Sequence, residues 1–234
     1  MEEVLLDREQ QQPRSVRSFV KRAGRMTPAQ ERALRELWPE FGIQYSQEIL
    51  DPQSIFGRTA ALVLEIGFGN GETLVEQASA NPAMDFLGIE VHEPGVGHCL
   101  LHVEEAGISN LRLIRHDAVE VLQSQISDGG LSRINIYFPD PWPKKRHHKR
   151  RIAQRAFMEL AARKIEAAGT LHLATDWENY AEHIDALIDS QEHFQLSERR
   201  VHCGDNPLDR PTTKFERRGL KLGHKIWDWQ LTRI

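Results

Sequence analysis

The sequence contains few of the residues that are typical of secreted, membrane-bound or disulfide-linked proteins. Only two of its 234 residues are cysteines, and neither belongs to a CxxC pair. This usage fits a reducing compartment and offers no zinc-binding or redox motif. No apolar run approaches the ~20 residues that a membrane-spanning helix needs, and the N-terminal segment has no signal-peptide core. We therefore expect a cytoplasmic protein with no membrane partner.

The composition is otherwise that of an ordinary globular protein, with 40% hydrophobic and 27% charged residues, but the charge is unevenly distributed. Residues 62–137 contain eleven acidic and three basic side chains, whereas basic side chains dominate in residues 8–25, 138–155 and 198–234. A single basic run is most simply a solvated face. An acidic centre with three basic flanks predicts a small-molecule site beside a polyanion-binding surface.

Short apolar runs alternate with amphipathic segments from residue 62 onwards. The pattern predicts strands at 62–66, 86–91, 111–115, 133–138 and 170–175, and helices near 72–80, 94–106, 118–126, 151–167 and 177–190. This alternation is typical of an α/β fold with a mostly parallel central sheet and helices on both faces. An earlier helix is expected after Thr27 and Pro28, and a late strand at the alternating Trp227, Trp229 and Leu231.

The sequence predicts a single domain preceded by a basic arm. Residues 1–25 are polar and basic with little periodicity, so we expect a flexible N-terminal arm that folds on binding a partner. Residues 26–234 form the single predicted domain. Nothing in the sequence indicates an obligate protein partner, and it is compatible with a monomer or a homodimer.

A glycine-rich turn follows the strand predicted at 62–66, with Gly67, Gly69 and Gly71 in the spacing GxGxG. Glycine lets the backbone approach a ligand closely, and such a turn places the ligand at a helix N-terminus on the carboxyl edge of the sheet. Glu65, just before the turn, would repel a pyrophosphate and attract a cation. The alternative is a tight structural turn without a ligand.

Acidic residues also end the next two predicted strands. Glu90 can accept hydrogen bonds from both hydroxyls of a ribose. Asp117 can accept one from an adenine amino group or, equally well, cap a helix. Together with Glu65, these acids describe a nucleoside with a positive charge and no phosphate. The predicted cofactor is therefore S-adenosylmethionine.

The fourth strand of the pattern runs into a loop in which Asp140 lies between Pro139 and Pro141. Each proline restricts its own backbone and that of the residue before it, so the loop is stiff and suits a reacting group. The basic run 144–151 follows directly and predicts a phosphate-binding segment beside that group. The alternatives are a rigid turn in which Asp140 bonds its own backbone, and a solvated start of a helix.

Five segments, EIGFGNG, GIEV, FPDPWPKKRHHKRR, TDWENYAEH and RPTTKFERRG, resemble the bacterial tRNA (guanine-N7-)-methyltransferase family. The resemblance runs from about Leu62 to the C-terminus. It implies a Rossmann-like class I S-adenosylmethionine-dependent methyltransferase fold. It further implies methylation of N7 of a guanine in the variable loop of tRNA, the one conventionally numbered 46.

The resemblance also implies a role for particular residues. Asp140 matches the catalytic position of the family. The cofactor-binding positions are Glu65, Gly67, Gly69, Gly71, Glu90 and Asp117. The substrate-binding positions are Lys144, Asp176, Thr213, Lys214, Phe215 and Glu216. The RNA-binding positions are Arg146, His147, His148, Lys149, Arg150 and Arg151.

Guanine N7 carries a free lone pair at neutral pH, so its methylation needs no general base. Most of the rate should come from aligning N7, the methyl carbon and the sulfur. We hypothesise that Asp140, Asp176 and Glu216 hold the guanine through its N1–H and N2–H₂ donors and favour the cationic ring. Trp142 or Phe215 can stack on the base, although buried packing is the simpler interpretation of Phe215. Thr213, in a predicted basic loop between Arg210 and Lys214, is expected to contact the substrate, with a cap or turn of the chain as the alternative.

Two other functions fit parts of the pattern. A methyltransferase for exocyclic base amines would show an Asn/Asp-Pro-Pro-aromatic loop, which the sequence around Asp140 only approaches. A non-catalytic RNA-binding module would have no need of the acidic residues described above. A metal site is not expected, because His98 and His102 lack the HExxH glutamate and a second ligand pair.

Overall fold

The computed structural model describes residues 17–19, 24–204 and 210–234. The predicted arm, residues 1–25, therefore lies for the most part outside the described residues. Within the described ranges, no helix has both the length and the apolar composition to cross a bilayer.

A single sheet of eight strands organises the described chain. The strands are β1 Gly42–Ile43, β2 Leu62–Ile66, β3 Asp85–Ile89, β4 Leu111–Ile114, β5 Leu131–Tyr137, β6 Ile165–Thr175, β7 Phe194–His202 and β8 Ile226–Arg233. Their order is β1-β4-β3-β2-β5-β6-β8-β7. The first six in this order pair in parallel, and β8 pairs antiparallel with both β6 and β7. The strand order reverses between β2 and β5, which is where ligands bind in open α/β sheets.

Helices cover both faces of the sheet, as predicted. They are α1 Pro28–Glu36, α2 Trp38–Phe41, α3 Pro52–Phe56, α4 Glu72–Ala80, α5 Glu93–Ala106, α6 Ala118–Ser124, α7 Arg155–Lys164, α8 Glu178–Asp189 and α9 Lys214–Lys221, with a 3₁₀ helix at Lys145–Arg150. One core cluster contains Leu122, Phe157 and Ile184 from α6, α7 and α8. The other contains Leu74 and Leu100 from α4 and α5.

Apart from the short elements β1, α2, α3 and the 3₁₀ helix, which were not predicted, the structure differs from the predicted elements in three places. The helix predicted at 151–167 covers only Arg155–Lys164, because the chain turns into β6 at Ile165 and a bulge in its pairing with β5 hides the strand pattern. Strand β7 was not predicted, since it is a sheet edge with mostly exposed side chains. The predicted basic loop after Thr213 is helix α9.

Candidate active site

The glycine turn between β2 and α4 requires its glycines. Gly67, Gly69 and Gly71 have φ values of 74°, 60° and 80°, a region in which other residues are strained. At Gly71 a side chain would also collide with Cys99, since a Cβ there would lie 2.3 Å from its Sγ. The backbone is therefore free to contact a ligand directly at this turn.

Glu65 lies near the end of β2 and is only 2% exposed. Its carboxylate accepts hydrogen bonds from Thr73 Oγ1 at 3.5 Å and Gln77 Nε2 at 3.3 Å. Burial is the main cause that raises the pKa of Glu65 from 4.5 to about 7. A cation bound beside it would favour the ionised form, because an opposite charge lowers the pKa of a carboxyl group.

Glu90 follows β3 and joins that strand to the glycine turn. Its Oε2 accepts from the backbone N–H of Gly69 at 3.0 Å, and its Oε1 accepts from those of Val91 and His92 at 2.7 Å and 2.9 Å. The carboxylate is thus fixed where the turn would present a ligand.

Asp117 caps α6, since its Oδ1 accepts from the backbone N–H groups of Val119 at 2.8 Å and Glu120 at 3.4 Å. The capping interpretation of Asp117 is confirmed, and its contact with an adenine stays a prediction.

Two adjoining cavities lie at this edge of the sheet. One, of ≈ 310 Å³, is lined by Glu90, His116, Asp140 and Phe215 among others. The second, of ≈ 360 Å³, is lined among others by Glu65, Thr213, Lys214, Phe215 and Arg218. Gly67 and Gly69 line both. Their sizes are in the range of small-molecule sites. They bring together the predicted cofactor residues except Asp117, and half of the predicted substrate residues; Lys144, Asp176 and Glu216 line neither cavity.

The loop that carries Asp140 has an unusual backbone. Phe138 and Trp142, on either side of it, have φ values of 52° and 46°. Bulky residues rarely adopt such values and do so where the surrounding structure enforces them, often at functional sites. Asp140 itself is exposed and lies on the cavity wall.

Arg151 is one of the groups that enforce this loop. It donates from Nε to the carbonyl oxygen of Pro141 at 2.9 Å, and from Nη1 and Nη2 to the backbone and side-chain oxygens of Asn179 at 3.2 Å and 2.8 Å. Its predicted RNA contact does not fit the structure, because the residue is only 2% exposed and its guanidinium already has these partners.

Trp142 connects the same loop to two neighbouring elements. Its Nε1 donates to the backbone oxygen of Ser18 at 3.0 Å, and Arg150 lies 5.1 Å above its ring. Ser18 and Phe19 also line the first cavity, so the described part of the predicted arm lies against the site.

The 3₁₀ helix presents the other predicted RNA contacts. Arg146 and Lys149 are exposed, while His147, His148 and Arg150 are half-buried. Burial and then the neighbouring cations lower the pKa of His147, so this imidazole is neutral at pH 7. Lys144, just before the helix, is exposed as well.

The Thr213–Glu216 segment forms a capping box at the start of α9. Thr213 Oγ1 accepts from the Glu216 N–H at 3.0 Å, and the Glu216 carboxylate accepts from the Thr213 N–H at 3.4 Å. Glu216 is fully buried and also pairs with Arg210 at 2.6 Å. Arg210 in turn pairs with Asp228 at 2.6 Å. Sequence reasoning missed this buried network, although the Thr-x-x-Glu spacing was a signal for it.

The remaining predicted substrate residues lie close to α9. Asp176, at the end of β6, pairs with His224 Nδ1 at 3.2 Å and faces Gly219 of the helix. Lys214 is exposed. Phe215 is 54% exposed, so the alternative of core packing is wrong and its ring is available to a ligand. His98 and His102 stack edge to face on α5, and in the described ranges no three His, Cys, Asp or Glu residues gather as a metal site.

Comparison with solved structures places this fold among the methyltransferases. The 16S rRNA methyltransferase KamB matches with a TM-score of 0.58 at 13% identity, over 80% of this chain and 94% of that one. TrmN from Thermus thermophilus matches with a TM-score of 0.54 at 17% identity, over 78% of this chain and 47% of that one. This chain thus spans about half the length of TrmN. The mostly parallel sheet and these matches confirm the class I methyltransferase fold.

The comparison of sequences is more specific. A family described as putative methyltransferase matches residues 59–229. The tRNA (guanine-N(7)-)-methyltransferase of Alcanivorax borkumensis is 53% identical over 92% of this chain and 90% of its own length. That of Shewanella piezotolerans is 50% identical over 94% of this chain and 93% of its own length. With this similarity over nearly the whole chain, the protein belongs to the family of bacterial tRNA (guanine-N(7)-)-methyltransferases.

Proposed function

We propose that this protein transfers a methyl group from S-adenosylmethionine to N7 of a guanine in the variable loop of tRNA, the one numbered 46. The observation that carries the proposal is the position of Asp140, on a tethered loop at the carboxyl end of β5 and on the wall of the same cavity as Glu90 and the glycine turn. The family members described above are named for methylation of a guanine N7 in tRNA, which supports the proposal. Since tRNA is the substrate, we place the activity in the cytoplasm.

The residues present fit S-adenosylmethionine, which when bound supplies an electrophilic methyl group on a sulfonium. The glycine turn has the open backbone that a close ligand needs. Glu65 is a buried carboxyl group without a cationic hydrogen-bond partner in the described chain, and it would hold a positive charge. Glu90 would hold the ribose hydroxyls and Asp117 the adenine edge.

The chain's own contribution to the reaction is to bind and orient the guanine. N7 attacks through its lone pair, so no residue has to remove a proton first. Asp140 would accept hydrogen bonds from the N1–H and N2–H₂ groups and stabilise the positive charge that arrives on the purine. Asp176 is proposed to assist it, and the exposed ring of Phe215 to stack on the base. The predicted substrate contact of Glu216 does not fit the structure, because this residue is fully buried and paired with Arg210. Lys144 and the exposed cations of the 3₁₀ helix would hold the neighbouring phosphates.

The proposal is tested by a single-atom change in the RNA. Methyl transfer from labelled S-adenosylmethionine is measured on an unmodified tRNA and on the same tRNA with 7-deazaguanosine in place of the variable-loop guanosine. The deaza base replaces N7 by C–H and keeps the N1 and N2 donors. We expect equal binding of both RNAs and transfer only to the unmodified one. Transfer to both would favour an exocyclic amine as acceptor, and binding without any transfer would favour an RNA-binding module.

A further inference from the structure

Helix α9 presents a stripe of three cations. Lys214, Arg218 and Lys221 are spaced four and three residues apart, so they lie on one side of the helix. The opposite side contains the buried Glu216 and Gly219. All three cations are exposed, and none of them forms an ion pair with another described residue.

The adjacent Arg217 gives an internal comparison. Its Nη2 donates to Glu72 Oε2 at 3.0 Å and its Nη1 to the backbone oxygen of Thr212 at 2.8 Å. The same short helix therefore contains one arginine that is neutralised within the protein and another, Arg218, that is not. Arg217 belongs to the packing between α9 and α4, whereas Arg218 faces outwards.

Helix stability explains only part of the stripe. Like charges four residues apart repel each other and cost roughly 0.2–0.5 kcal/mol per pair. Lys214 stands at the first position of α9, where the helix dipole disfavours a cation. Arg218 and Lys221 lie in the last turn, where the dipole favours a cation. The unfavourable terms are therefore the position of Lys214 and the repulsion among the three cations, and a bound polyanion would relieve both.

The stripe borders the proposed site. Lys214 and Arg218 line the second cavity, and Phe215 lines both cavities. Asp140, on the loop that precedes the 3₁₀ helix, lines the first cavity together with Phe215. The basic 3₁₀ helix therefore follows a loop on the wall of the first cavity, and the stripe lies on the wall of the second. The two basic surfaces border the same site from different sides.

We propose that Lys214, Arg218 and Lys221 form a second phosphate-binding surface, which holds the RNA backbone on the α9 side of the target guanine while the 3₁₀ helix holds it on the other. The inference rests on the proposed function and adds Arg218 and Lys221 to the predicted RNA contacts. RNA phosphates are the proposed ligand because the stripe is cationic and is continuous with the cavity that would receive the base.

The test compares Arg218→Gln with the matched control Arg217→Gln, which removes the same charge from the neighbouring position. The dissociation constant of unmodified tRNA is measured against salt concentration for wild type and both variants. Arg218→Gln should weaken binding and reduce the log–log salt slope by about 0.7–1, the loss of one phosphate contact. Lys221→Gln should act in the same way, and Arg217→Gln should keep the wild-type slope.

Two results would overturn the inference that the stripe binds RNA phosphates. Equal reductions for Arg218→Gln and Arg217→Gln would show general surface charge and overturn the inference. An Arg218→Gln variant with the wild-type salt slope but weakened S-adenosylmethionine binding would assign the residue to the cofactor and overturn it too. If wild type binds and methylates tRNA in the same assays, these failures leave the proposed function intact. If wild type neither binds nor methylates tRNA, the proposed function itself fails.

Discussion

Arg151 donates from its buried Nε to the carbonyl oxygen of Pro141 at 2.9 Å, one residue beyond Asp140. The same guanidinium is bound to Asn179 at the start of α8. The arginine that ends the basic run 144–151 thus holds the loop that presents the proposed catalytic carboxylate. The positive φ values of Phe138 and Trp142 are the strain that such a tether offsets.

This tether predicts how Arg151→Lys behaves. The variant keeps the charge but loses the forked hydrogen bonds to Pro141 and Asn179, so we expect a loss of about 1–3 kcal/mol in the free energy of unfolding. Misplacement of the loop should lower kcat by roughly 100-fold. The salt slope of tRNA binding should stay at the wild-type value. Denaturant unfolding, single-turnover kinetics and binding titrations check the three expectations.

Lys149→Gln is the control for Arg151→Lys. Lys149 is exposed on the 3₁₀ helix, and its loss should reduce the salt slope by about 0.7–1. If Arg151→Lys reduced the salt slope of tRNA binding and left the free energy of unfolding unchanged, Arg151 would be an RNA contact after all.

Asp140→Asn tests the role of the carboxylate. The amide has nearly the same shape but no charge, and its N–H₂ group opposes the guanine donors. We expect kcat/KM for tRNA to fall by about 10–100-fold, which corresponds to the ~1.5–3 kcal/mol of hydrogen bonds to a charged group. S-adenosylmethionine affinity should not change, as calorimetry of the RNA-free protein would show. Full turnover together with full tRNA affinity would rule out the proposed role.

The sequence predicted the strand ends well because a buried strand, its glycine turn and its terminal acid are local patterns. It could not distinguish Arg151 from Arg150, since both stand in one basic run and the former is buried by tertiary contacts such as that with Asn179, 28 residues away. The left-handed backbone of Phe138 and Trp142 was equally hidden, because the surrounding structure imposes it. Helix α9 could have been predicted from the sequence, because the Thr213–Glu216 spacing is that of a capping box.

Burial of Glu65 predicts a pH-dependent affinity for the cofactor. Its pKa is raised to about 7, so the carboxyl group is mostly protonated at pH 6 and mostly ionised at pH 8. The ionised form attracts the cationic groups of S-adenosylmethionine, and we expect the dissociation constant to fall several-fold between these pH values. Glu65→Gln should bind weakly with no such dependence, as titration calorimetry can show. A flat pH profile in wild type would contradict the assignment.

The same raised pKa has an effect of known sign on stability. Between pH 4.5 and 7 the unfolded chain loses the Glu65 proton while the folded protein keeps it. The folded state therefore binds more protons, and its stability falls as pH rises through this window, by about 3 kcal/mol. Glu65→Gln removes this loss, so its stability relative to wild type should increase from pH 4.5 to pH 8 in chemical denaturation.

Glu216→Gln separates a structural role from a contact with the guanine. The neutral amide weakens the charge-assisted hydrogen bond with the buried Arg210, which costs roughly 1.5–3 kcal/mol, while Asp228 still pairs with Arg210. We therefore expect the melting temperature to fall together with activity. An unchanged melting temperature with lost tRNA affinity would instead show that Glu216 acts on the substrate alone.

Delivery of the methyl group to N7 of a single guanine can be read from chemical mapping of the product. An unmodified tRNA transcript is incubated with the protein and labelled S-adenosylmethionine, then treated with borohydride and aniline, which cleave the chain at 7-methylguanosine. We expect a single cut in the variable loop that disappears when that guanine is replaced. Incorporated label without any cut would contradict it.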